Sequence, residues 1–176
     1  MGAGQVALYQ GLPPAIVSTA PTTAGTIDIM RRYARTGSFH PLVRAVAASI
    51  IATSDPHDSL DHARKIGNWV SERVQFMRDP ADVEHIASPW AMLADIQSAY
   101  YTVGDCDDMA TLVAALGLAV GLSAMFVTVG LDQPNAPFSH VYAALRGPGM
   151  PGWFDVDPAR TETDGHRITT MKQWPV

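Results

Sequence analysis

Apolar residues recur three and four apart along the first two thirds of the chain, then give way to short runs rich in Val, Phe and Thr. That change of period predicts helices first and a sheet afterwards. Pro41 opens the pattern Leu42, Val43, Ala45, Val46, Ser49, Ile50, which fades near Thr53. Proline suits a first helical position, where its missing N–H would have no partner anyway. A second helix is predicted from 59 to 74, with Leu60, Ala63, Ile66, Trp69, Val70 and Val74 on one face. Asp61, Arg64, Lys65 and Glu72 make its other face a solvated surface. Ser88-Pro89 caps and opens a third, running to Ala99. The strongest pattern starts at Cys106, where Asp105 and Asp108 have the spacing of a cap and its third residue. Met109, Leu112, Val113, Leu116 and Val120 continue it to Gly121. This helix is apolar on most sides and therefore belongs at the centre. Residues 124–131, 140–145 and 153–156 read as strands, with Gly147-Pro-Gly-Met-Pro-Gly152 turning between the last two.

Residues 1–26 hold Gly, Ala, Pro, Thr and Ser without apolar periodicity. They read as an extended or loosely packed arm, anchored by Leu8, Tyr9 and Ile16. The domain proper is expected over 27–176, opening with a short ordered segment around Ile27, Ile29, Met30 and Tyr33. Helices followed by sheet make it an α+β domain.

Composition narrows the picture. With 176 residues, 47% hydrophobic and 16% charged, the chain can bury one real core. A net charge of -5 argues against nucleic acid as a partner, because phosphate binding needs a surplus of Lys and Arg. The uncharged stretch from Gly2 to Ile27 is broken by Pro13, Pro14 and Pro21. It reads neither as a membrane span nor as a secretory signal, so the expectation is a cytoplasmic protein with no membrane partner. A single cysteine, Cys106, excludes an internal disulfide and any multi-cysteine metal site.

That cysteine sits in Gly104-Asp105-Cys106-Asp107-Asp108. A helix N-terminus favours thiolate through the peptide dipoles and free N–H groups, but three flanking aspartates oppose the anion. An adjacent imidazole is then needed. A lone helical cysteine is ordinarily a small buried hydrophobe, yet one set among acids at a helix start is not in that setting. His140 opens a predicted strand, and Asp155 and Asp157 follow the turn, both on one face by strand parity. If the hairpin is centred between Pro148 and Gly149, His140 lies opposite Asp157; one residue later, the two are diagonal neighbours. Either way Asp157 is nearer than Asp155, which remains the alternative carboxylate. Such a carboxylate can hold the imidazole that deprotonates the thiol. Elsewhere, His57 and His62 beside Asp58 and Asp61 read as a solvated helix start, and Met30, Met77, Met92 and Met109 as core.

In this order the segments resemble the transglutaminase-like branch of the papain-like cysteine enzymes, particularly short bacterial and bacteriophage members. Gly-Asp-Cys-Asp-Asp resembles that family's nucleophile segment, Ser139-His140-Val141-Tyr142 its histidine strand, and Trp153…Asp157-Pro158 its Trp-x-x-x-Asp-Pro element. Trp69-Val70…Val74-x-Phe76…Asp79 and Ser88-Pro89 are similar to the helix and connector before the cysteine. The likeness spans 26–159 and departs at Ala159, where many members carry Thr. It implies a papain-like α+β fold: an N-terminal helical lobe and a central Cys-bearing helix packed on a small antiparallel sheet. It implies Cys106 as nucleophile, His140 as general base and acid, and Asp157 as the orienting carboxylate. The chemistry implied is acyl transfer from peptide or side-chain amides, as a peptidase or amidohydrolase without cofactor. A protein–glutamine acyltransferase is the alternative within enzymes. A non-catalytic assembly module, for instance of a phage particle, docking a protein partner through the arm, is the alternative outside them. The second oxyanion donor stays open: Trp90, Gln97, Tyr100 and Tyr101 are upstream, each better suited to surface or packing. Some periplasmic relatives use calcium beside the nucleophile, which would draw on Asp105, Asp107 and Asp108. The segment lacks the spaced oxygens of a dedicated calcium loop, and aspartates are normal at a helix start, so no metal is expected.

Overall fold

Polar side chains that accept a backbone N–H stand at the head of each described helix and fix where it begins. The computed structural model describes residues 12–19, 22–81, 83–160 and 164–176. In chain order these form β1 (Ala15–Ser18), α1 (Thr23–Ser38), α2 (Pro41–Ile51), α3 (Ser59–Arg73), β2 (Val74–Phe76) and β3 (Glu84–Ala87). There follow α4 (Pro89–Ala99), β4 (Thr102–Gly104), α5 (Cys106–Ala119), β5 (Ser123–Leu131), β6 (His140–Arg146), β7 (Phe154–Val156) and β8 (Ile168–Pro175). Thr22, His40, Asp58, Ser88 and Asp105 each cap the helix after them by accepting a first-turn N–H. Tyr100 closes α4 in the left-handed conformation, φ 70°.

α5 is the axis of the fold. Every residue from Asp107 to Gly117 is buried. One side of the helix meets α1, α2 and α3, and another lies on β6 and β5. Gly117 makes the second contact close: a Cβ there would stand 2.7 Å from Cδ2 of Leu145 on β6. Leu112, Leu116, Phe126 and Leu145 are all fully buried, each worth about 1.5–3 kcal/mol relative to exposure. The sheet runs β7-β6-β5-β8 and is antiparallel throughout. This is the α+β, papain-like arrangement expected, with the Cys-bearing helix between helical lobe and sheet.

Several elements differ from expectation. The border drawn at residue 26 is no structural break. α1 already begins at Thr23 and runs sixteen residues, burying Ile27, Met30, Tyr33 and Ala34. Within the expected arm, Ala15–Ser18 pair antiparallel with β3, and Ile16 packs on the core. Leu8 and Tyr9 lie outside the described residues. β2 and β4 form a short parallel pair, Val74↔Thr102 to Phe76↔Gly104, which delivers the chain to the head of α5. β8 pairs along β5 although its sequence, Ile-Thr-Thr-Met-Lys-Gln-Trp-Pro, has no apolar alternation. Met77 is 56% exposed and not core. His62 is buried rather than solvated, its Nε2 3.0 Å from the Asp55 carbonyl. No described helix is long and apolar enough to cross a membrane.

Candidate active site

Cys106 is the first residue of α5, half-buried. Asp105 caps the helix by accepting the Asp107 N–H at 3.1 Å. Asp108 reaches back over the cap, accepting the N–H of Ala87 at 2.7 Å and that of Asp105. Asp108 thus supplies the return bond of a capping box, while the Asp105 side chain takes the second rather than the third helical N–H. Through Ala87 the segment ties β3 to the helix head.

The electrostatics at this helix head oppose anions. Burial pushes the Cys106 thiol up to about 12, with the Asp105 and Glu84 carboxylates adding to it. The backbone N–H groups of Val141 and of Cys106 itself work the other way and stabilise the sulfur's charge. Asp107 is held well above the carboxylate range by burial and by hydrogen bonds to the carboxyls of Asp105 and Glu84. Burial likewise lifts Asp108 to about 7 against its two N–H partners. One oxygen each of Asp105, Asp107 and Asp108 lies within 4.8 Å of the others. A proton on Asp107 or Asp108 would relieve the mutual repulsion of this cluster, and so would a hard cation held between the three.

His140 opens β6, its ring buried, with Nε2 2.9 Å from Oδ2 of Asp157. The hairpin pairs Ala143 with Val156, Ala144 with Asp155 and Leu145 with Phe154. Its centre therefore falls between Gly149 and Met150, the later of the two registers considered. Carried one residue past Ala143–Val156, this alignment sets Asp157 level with Tyr142 and diagonal to His140. The same diagonal step joins Tyr142 to Asp155, whose Oδ2 accepts the tyrosine hydroxyl at 3.4 Å. Each carboxylate thus has its own partner on β6. With Nε2–H donated to Asp157, a neutral imidazole keeps its lone pair on Nδ1.

Cys106 and His140 share a cleft of about 310 Å³. Thr22, Thr23, Thr26, Ile27 and Met30 of the α1 region line it together with Phe138, Ser139 and Val141, and Glu84, Asp105 and Asp107 contribute carboxyls. Asp157 reaches His140 from outside this cleft, lining a separate depression of about 640 Å³ beside α3 and β7. None of the four upstream oxyanion candidates lines the cleft. Trp90 stacks on His40 and meets Tyr33 edge-on, while Gln97, Tyr100 and Tyr101 are exposed. The contribution of α1 was missed because residues 22–26 read as arm. The signal was Thr22, an N-cap type ahead of Ile27, Met30 and Tyr33 at helical spacing.

A sequence model of the transglutaminase-like superfamily matches residues 44–158, a span that includes Cys106, His140 and Asp157. No curated protein matches the sequence. A solved structure described as "a Putative Cysteine Protease from Cytophaga hutchinsonii" aligns with a TM-score of 0.51 and 19% identity. The alignment covers 74% of this chain and 41% of that one, so this chain spans about two fifths of that protein's length. The likeness is one of fold.

Proposed function

The chain belongs to the transglutaminase-like superfamily, and from that premise we propose a cysteine-dependent acyl-transfer enzyme, a peptidase or amidohydrolase acting through Cys106, His140 and Asp157. In this reading the resting thiol is neutral, because burial and two carboxylates oppose its ionisation. Nδ1 of His140 takes the thiol proton as sulfur attacks the amide carbonyl. The tetrahedral oxyanion forms beside the Cys106 backbone N–H at the α5 head, where the peptide dipoles favour negative charge. Collapse breaks the C–N bond, and the proton passes from Nδ1 to the departing amine. His140 then deprotonates a water that hydrolyses the thioester, releasing a carboxylic acid and restoring the thiol. Asp157 orients the ring and stabilises its transient positive charge.

The observation that carries this reading is the 2.9 Å His140–Asp157 bond on a ring that shares its cleft with the chain's single cysteine. Its test compares wild type with Cys106→Ala on a complex peptide pool. New N-termini, or free ammonia from side-chain amides, are expected with wild type only. Incorporation of a labelled primary amine into glutamine would instead identify a transferase. If the two proteins leave the pool equally unchanged, the enzyme reading falls.

A further inference from the structure

The cleft around Cys106 is acidic on more than one side. Glu84 comes from β3, Asp105 and Asp107 from the head of α5, and no Lys or Arg stands among the described residues lining it. Asp79 lies close enough to feel the charges of Asp105 and Glu84. Capping accounts for Asp105 and Asp108, but not for Glu84 or for the free oxygen of Asp107. That residue lines the cleft, is 3% exposed, and its Oδ1 has no hydrogen-bond partner. A buried acceptor left unpaired is costly unless something donates to it. The hydroxyl-bearing side of the cleft, Thr22, Thr23 and Thr26, offers no opposing charge.

Resting on the reading of Cys106 as nucleophile, we propose that this cleft selects amides carrying a positive charge, an ammonium or guanidinium within a side chain's length of the carbonyl attacked. Lysyl and arginyl amides are the class that fits. A cation entering here gains charge-assisted hydrogen bonds to the half-exposed carboxylates of Glu84 and Asp105, in front of the buried Asp107 carboxyl. An anionic substrate meets repulsion from the same groups. Hydrolysis also creates a new carboxylate against these acids, which favours its release.

The test reads the charge preference at Cys106 itself and needs no substrate. The trimethylammonium-ethyl and sulfonatoethyl methanethiosulfonates both convert its thiol into a mixed disulfide, releasing methanesulfinate. Their cation-to-anion rate ratio is compared with that for 2-mercaptoethanol. The ratio at Cys106 is expected to exceed the free-thiol ratio at least tenfold, as field focusing in a charged cleft produces. It should shrink at least threefold in Glu84→Gln, in Asp105→Asn, and in about 1 M salt, where the Debye length falls to about 3 Å. Circular dichroism confirms that the variants are folded. A ratio within twofold of the free thiol, or one indifferent to both substitutions, overturns the proposal. If that happens while Cys106→Ala still abolishes turnover, the enzyme reading stands and only the charge preference falls. If neither reagent reaches Cys106 in the native protein, both fall.

Discussion

Gly104 and Asp108 are packed so closely that a Cβ on the glycine would stand 2.8 Å from Cβ of Asp108 and 2.9 Å from its Oδ2. The crowding arises because the Asp108 side chain folds back over the last residue of β4 to reach the Ala87 and Asp105 N–H groups. A side chain at 104 must displace that carboxyl, and with it the head of the helix on which Cys106 sits. Gly104→Ala is expected to lose about 1–3 kcal/mol in denaturant unfolding, the usual cost of overpacking. It should also slow turnover more than its loss of stability explains. An alanine variant as stable and as active as wild type would show that the helix head yields freely.

Asp157 and Asp155 are both carboxylates on the hairpin, but their partners differ. Asp157 bonds to His140 at 2.9 Å, whereas Asp155 bonds to Tyr142 at 3.4 Å. If the proposed triad operates, Asp157→Ala should lower kcat by up to about 10⁴, the loss seen when an orienting carboxylate is replaced. Asp155→Asn should change it less than tenfold. Equal losses, or a larger loss at Asp155, would transfer the third role to that residue.

Reading this site from sequence depended on where local rules decide geometry. The helix head at Cys106 was legible because Asp105 is an N-cap by type and spacing. The His140–Asp157 relation was legible as one of two registers, since hairpin turns shift in single residues and the Pro- and Gly-rich turn at 147–152 has no unique centre. α1 was only partly legible: Thr, Gly and Ala fill its first turns, and its burial comes from contact with α5. β1, β2 and β4 are three or four residues long and owe their existence to their partners. β8 is a Thr-rich edge strand whose place is set by β5 and by the Trp174 Nε1 bond to the Thr128 hydroxyl at 2.9 Å. Tertiary pairing, absent from any local window, made these elements.

A thiol pushed up to about 12 makes a specific statement about alkylation. The thiolate is the reacting species, so at pH 7.5 iodoacetamide should label native Cys106 more slowly than an unfolded control, whose thiol titrates near 8.5. The rate should rise close to tenfold per pH unit through pH 8–11 without levelling. Glu84→Gln removes one of the charges that raise the thiol and should speed labelling at every pH in that range. A plateau reached below pH 8 would instead reveal a resting thiolate–imidazolium pair, and the proton transfer to His140 would then precede substrate.

The same acidic cluster sets how stability depends on pH. Asp108 is raised from 3.8 to about 7 in the folded protein, and Asp107 is raised well above 3.8. Well below pH 3.8 both are protonated whether the chain is folded or not. As pH climbs from 4 toward 7, the unfolded chain releases these protons while the folded one keeps them. The unfolded state therefore binds fewer protons, and stability falls as pH rises through this window. Asp108 alone accounts for at most on the order of 4 kcal/mol of that loss, at about 1.36 kcal/mol per pH unit. Thermal or urea unfolding should show the midpoint highest near pH 4–5 and declining to pH 8. Asp108→Asn keeps an oxygen to accept the Ala87 N–H while removing the titration. That variant should flatten the decline and exceed wild type in stability at pH 8. Stability that instead climbs between pH 4 and 7, in wild type and variant alike, would mean that the carboxyls at the head of α5 are ionised in the folded protein.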